Sequence, residues 1–84
     1  KMVYTYQPKG VCSMQIDIEV EDGIVKNVKF HGGCNGNGKG IASLVRGRSV
    51  DEVIAALEGT TCGSKPTSCP DQLAVALKEI RKGA

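Results

Sequence analysis

Tryptophan is absent from this chain, phenylalanine occurs once and tyrosine twice. With so few rings the core has to be built from aliphatic side chains, and 84 residues allow only a small one. A metal, a cofactor or a partner commonly supplements a core of that size. No apolar run approaches the roughly 18 residues that span a bilayer, and no signal peptide opens the sequence. A cytoplasmic chain with no membrane partner is therefore expected. Nor does one sign of charge dominate. Lys and Arg number 11 against 9 Asp and Glu, with the signs interspersed, so there is no electrostatic case for nucleic acid. The length, with no repeat and no long linker, gives one domain over residues 1–84.

Against these absences, four cysteines stand out: Cys12, Cys34, Cys62 and Cys69. In a reducing compartment, thiols at scattered positions serve as ligands or catalysts more often than as disulfides. The second surplus is glycine. Five of the eleven crowd into FHGGCNGNGKGI, residues 30–41, although glycine is costly inside a folded element.

The first half alternates. In CSMQIDIEVE (Cys12 to Glu21), Met14, Ile16, Ile18 and Val20 point one way while Ser13, Gln15, Asp17, Glu19 and Glu21 point the other. That pattern makes a strand with one buried face. Asp22-Gly23 is a hairpin signal, and Ile24 to His31 is the partner strand, with Ile24, Val28 and Phe30 on the core face and Lys26 interrupting it. Met2 to Gln7 supplies a third strand before the turn at Pro8-Lys9-Gly10. Beyond the glycines the period becomes helical. Ile41, Leu44 and Val45 form a short stripe ending near Gly47. Ser49 and Glu52 form a capping box for a second helix through Leu57, stopped by Gly59. Ser68 caps a last helix with Pro70 in its first turn. Strands followed by helices predict an α+β fold: a three-stranded antiparallel sheet with about three helices packed on one face. The expected core sets Met14, Ile16, Ile18, Val20, Val28 and Phe30 under Leu44, Val53, Leu57, Leu73 and Leu77.

On this map all four cysteines fall at the ends of elements, where loops and termini can converge on one point. Four thiolates closing a tetrahedral zinc site are the simplest use of such a set, so Cys12, Cys34, Cys62 and Cys69 are the expected metal ligands. His31 falls on the wet face and reads as a surface histidine. The glycine loop offers another use. Gly33 to Gly40 resembles a phosphate-binding P-loop between a strand and a helix, but Gly40 stands where Ser or Thr should hold magnesium. A looser version survives, in which Gly33, Asn35, Gly36, Asn37, Gly38 and Lys39 present N–H groups to the phosphate of a cofactor such as a flavin. In the plainer version the glycines bring backbone close to Cys34. Either way Gly32 and Gly33 are needed for the turn out of the strand, and Gly36, Gly38 and Gly40 are expected to keep the first helix from starting early.

Thr67 to Asp71 spells TSCPD, and together with GGCNGN and the four cysteines the chain resembles a stand-alone TSCPD-domain protein over nearly its whole length. Domains of this family also occur near the C-terminus of vitamin B12-dependent ribonucleotide reductases. The resemblance implies a metal-type site and a reductase or cluster-assembly partner. More distantly, the order of cysteines, hairpin, Gly-Cys loop and capping box is similar to IscU/NifU-type iron–sulfur scaffolds. That likeness implies that Cys12, Cys34 and Cys69 hold zinc or a nascent cluster. Met14 stands where the scaffold has an aspartate two residues after its first cysteine, and Ser68 where a histidine precedes its last. Gly63-Ser64-Lys65-Pro66 replaces the scaffold's Leu-Pro-Pro-Val-Lys segment. Cys62 is then available as a fourth ligand. The function expected is a metal-binding module without independent catalytic activity, holding zinc or, as alternatives, an iron–sulfur cluster or a flavin. A thiol redox shuttle through Cys62 and Cys69 is the second reading.

Overall fold

The computed structural model describes residues 2–11, 13–33 and 35–83, with Ser13, Met14 and Asn35 described by their backbone alone. Three strands, β1 (Met2–Tyr6), β2 (Ser13–Glu21) and β3 (Ile24–Gly32), precede three helices, α1 (Asn35–Val45), α2 (Val50–Leu57) and α3 (Cys69–Arg81). The sheet is an antiparallel meander in the order β1-β2-β3, so the expected α+β architecture is the one observed. Among the described residues no helix is long and apolar enough to cross a membrane.

Asp22 and Gly23 close the β2–β3 hairpin, both at positive φ, as a tight turn matching the twist of its strands requires. One irregularity in this hairpin resolves the misplaced Lys26. Glu19 faces Asn27 while Val20 faces Val25, so Lys26 falls in a register shift. One extra residue reverses the alternation. Val25, not Ile24, takes the fully buried position, and Lys26 points to solvent.

The core is aliphatic. Ile16 and Ile18 from β2, Val53 from α2, and Leu73 and Leu77 from α3 are almost wholly buried, and Phe30 and Leu57 pack partly buried against them. The core role expected of the Met14 side chain lies outside the described residues. Leu44 does not join the core; it is 71% exposed. Val45 is buried and Ile41 packs partly buried against the core as expected, but the stripe is completed by Ala42 rather than Leu44 as α1 packs on β3.

The α1–α2 connection crosses the first residues of β3. Val25 N donates to Arg48 O, Gly47 N to Val25 O and Val50 N to Gly23 O, each at 2.8 Å. This fixes the start of α2, where Ser49 and Glu52 exchange the two hydrogen bonds of a capping box, each 3.1 Å. The Ser49 amide and hydroxyl hold the Glu52 carboxyl below its usual pKa.

Candidate functional site

The site is built around the start of α3. Ser68 is extended (φ −155°, ψ 170°) and only 5% exposed. Its Oγ accepts from Asp71 N at 3.1 Å and donates to Thr60 O at 2.7 Å. The Asp71 carboxylate ties both ends of the preceding loop: Oδ1 accepts from Gly59 N at 2.8 Å, and Oδ2 from Thr67 Oγ1 at 2.5 Å. Thr67 Oγ1 accepts in turn from Gln72 Nε2 at 3.0 Å. The other end of that amide, Gln72 Oε1, accepts from Lys9 N at 3.0 Å, in the turn between β1 and β2. Four polar residues of the run TSCPDQ are thus engaged in holding backbone together. Cys69 and Pro70 are the two that line a groove.

That groove has a volume of about 420 Å³ and runs between α1 and the start of α3. Cys62 and Cys69 share its wall with Gly36, Gly38 and Gly40 of α1 and with the apolar side chains of Phe30, Ile41, Leu44 and Pro70. Cys62 is exposed at the head of a tight turn in which Lys65 N donates to Cys62 O at 3.0 Å and Gly63 has φ +58°. Cys69 is half-buried as the first residue of α3, and both cysteines are thiols.

The glycine stretch is not the open loop that its composition suggests. Gly32 and Gly33 do turn the chain out of β3, at φ +79° and +71°. Asn35, Gly36, Asn37, Gly38 and Lys39 then form the opening turns of α1, and Gly40 continues it. Packing outweighs propensity here: a Cβ on Gly38 would meet Phe30 Cβ at 3.2 Å, so glycine lets the helix lie close on β3. Gly36 and Gly40 face open space. Beyond the first turn the helix uses its own amides, so the N–H groups of Lys39 and Gly40 are not open to a phosphate.

Cys12 and Cys34 lie outside the described residues. Residues close to them in sequence are described. Ser13 pairs with Gly32 across the sheet. On the other side of Cys12, Lys9 is bonded to Gln72, and Gly10 (φ +71°) packs on Thr67, where a Cβ would lie 3.3 Å from Cγ2. Among the described residues no group of three or more His, Cys, Asp or Glu side chains is arranged to hold a metal.

His31 lies on the solvent face of the sheet, as its place in the alternation implies. Its Nε2 is 2.8 Å from Asp17 Oδ2, while Gln15 Nε2 and Thr5 Oγ1 donate to Oδ1 at 2.8 and 3.3 Å. The bond with His31, then that from Gln15, holds the Asp17 carboxyl below its ordinary value.

Sequence reasoning missed Gln72 and Lys9, whose contact spans 63 residues and leaves no local mark. The Ser68–Asp71 spacing was readable as a helix start, though not the grip of Asp71 on Gly59.

A meander with three helices on it, and a cysteine-bearing groove at the tied end of the last helix, define a small α+β domain whose signature segment is structural except at its cysteine and proline. The chain belongs to the TSCPD domain family, which matches residues 2–81. No curated protein and no solved structure matches it, so the likeness to cluster scaffolds gains no support from comparison.

Proposed function

We propose that this TSCPD domain is a metal-binding module that holds zinc through the thiolates of Cys12, Cys34, Cys62 and Cys69. One observation carries the reading: two cysteines line one groove, and Ser13 and Gly32, close in sequence to the other two, pair with each other in the sheet. Ser13, which follows Cys12 in sequence, faces Gly32, and the turn that precedes Cys12 is bonded to Gln72 of α3, the helix that Cys69 opens. The donor chemistry agrees. No carboxylate or imidazole lines the groove, and an all-thiolate set suits tetrahedral zinc or an iron–sulfur cluster rather than a hard cation. The bound ion would cross-link four element ends of a small aliphatic core. The module acts as an auxiliary to a redox enzyme, for which the reductase association implied by the family resemblance is the motive.

Elemental analysis with an absorption spectrum of the purified protein tests this. Zinc gives one colourless ion per chain, a cluster a brown protein, and a chelator lowers the unfolding temperature in either case. A stable, metal-free protein with four reactive thiols sinks the proposal.

The shared groove also favours a second reading, a dithiol shuttle. Cys62 and Cys69 would form a disulfide, passing two electrons and two protons to a reductase disulfide that becomes a dithiol. In that case mild oxidation removes two thiols without metal, and Cys12→Ser leaves this loss unchanged.

A further inference from the structure

The near balance of charge over the whole chain hides a run in which it fails. From Gly23 to Val50 there are five cationic residues, Lys26, Lys29, Lys39, Arg46 and Arg48, and no Asp or Glu; all nine acids lie outside. That run builds β3 and α1, which pack on each other, and all five residues are exposed. Arg46 Nη2 lies 3.4 Å from Asn27 Oδ1, next to Lys26 in the strand. Arg48 Nε donates to Leu44 O at 3.2 Å, over the end of α1. Among the described residues none of the five forms an ion pair. The acids of the neighbouring helix α2 are matched, by contrast. Asp51 pairs with Arg81 at 2.8 Å, Glu58 pairs with Lys78, and Glu52 Oε1 accepts from Ser49 N at 3.1 Å. The unmatched positive charge therefore lies on β3 and α1.

Beside it an apolar groove of about 600 Å³ runs between α1 and α2. Val45 and Val53 line it as buried side chains, while Leu44 and Ala56 line it as exposed ones. Arg48 and Glu52 are the charged residues in its wall. We propose that this groove docks an acidic amphipathic helix of a partner protein, with apolar side chains in the groove and a carboxylate on Arg48. A helix offers such a groove apolar anchors at i, i+3, i+4 and i+7. The neighbouring unpaired cations select a partner of opposite sign and draw it in. Two other polyanions suit the surface less. A bilayer is flat where this surface is concave, and single-stranded bases stack on exposed rings, whereas Phe30, the one ring in the run, is half-buried. No cysteine lines this groove, so the proposal is independent of the metal reading.

Fluorescence anisotropy and NMR on the whole chain test this with three labelled peptides. The first is a helix with leucines at i, i+3, i+4 and i+7 and glutamates beside them. The second carries lysines in place of the glutamates, and the third is the first in scrambled order. The acidic amphipathic peptide should bind at least about tenfold more tightly than either control, and more weakly as salt rises. It should shift the amides of Leu44, Val53 and Ala56. Leu44→Gln and Arg48→Gln, both at exposed side chains, should each weaken it about tenfold with circular dichroism unchanged. Equal binding of the scrambled peptide, or no loss in Leu44→Gln, refutes the groove as the site. Equal binding of the lysine peptide, or no loss in Arg48→Gln, refutes the acidic partner. A DNA duplex or anionic vesicles that bind more tightly and displace the peptide overturn the partner class. Self-association in sedimentation that Leu44→Gln abolishes makes the occupant a second copy of the chain, and overturns the proposal as well.

Discussion

Gly38 of α1 lies against Phe30 of β3 so closely that a Cβ on it would stand 3.2 Å from the Phe30 Cβ and 3.3 Å from its Cδ2. Two positions along, Gly40 faces open space. Replacing a helical glycine by alanine gains up to about 1 kcal/mol where nothing is in the way. Gly40→Ala should therefore raise stability, whereas in Gly38→Ala the displacement of Phe30 offsets part or all of the gain. Urea unfolding of both variants measures this. An equal gain in both would show that the contact does not set the spacing of α1 and β3.

The core prediction is simpler. Ile16 is fully buried in the central strand, so Ile16→Ala should lose about 2–5 kcal/mol in the same urea experiment. A loss below 1 kcal/mol, on the order of an exposed position, would contradict the register that buries it.

Ser68 both caps α3 and holds Thr60 O. Ser68→Ala should cost about 1–2 kcal/mol for the lost cap and unsatisfied carbonyl. Ser68→Thr keeps the hydroxyl and should recover part of that loss. If the alanine variant matches the parent in denaturant midpoint, the cap contributes nothing.

Acid dependence follows from Asp17. Its folded pKa lies below the ordinary value of 3.8, chiefly through the bond with His31. A depressed carboxyl contributes stability above its unfolded pKa and loses it as pH falls through the folded one. Stability should therefore begin to fall near pH 3.8 and continue downward. In His31→Ala, the Asp17 carboxyl, followed by NMR, should titrate closer to its ordinary value. An unchanged titration would mean that the His31 contact does not hold in solution.

Much of this was legible in the residues themselves. The alternation through Ile16 and Ile18, the Asp22-Gly23 turn, and the caps at Ser49 and Ser68 are local signals, and the structure follows each. The start of α1 was not legible. Three glycines argue against a helix locally, and only the fit of Gly38 on Phe30, a partner in another element, outweighs them. Leu44 was misplaced because spacing alone does not say which edge of the stripe meets the sheet, and the packing on β3 buries Ala42 in its stead. The bulge at Lys26 could be inferred only from its symptom, a lysine at a core position of the alternation. At the site, the pairing of Cys62 with Cys69 in one groove follows from the folding back of residues 59–67 on Asp71, a return that neither cysteine announces.

The bond from Lys9 to Gln72 joins residues 63 apart, and with it the turn leading to Cys12 comes to rest on the segment bearing Cys69. Contacts that distant in sequence form late, because the intervening chain has to be ordered first. A nascent chain that has made its sheet but not docked α3 has not yet brought that turn to the segment bearing Cys69. With four-thiolate binding, tight uptake of the ion is then a checkpoint on the fold, passed only by molecules in which the two ends of the chain have met.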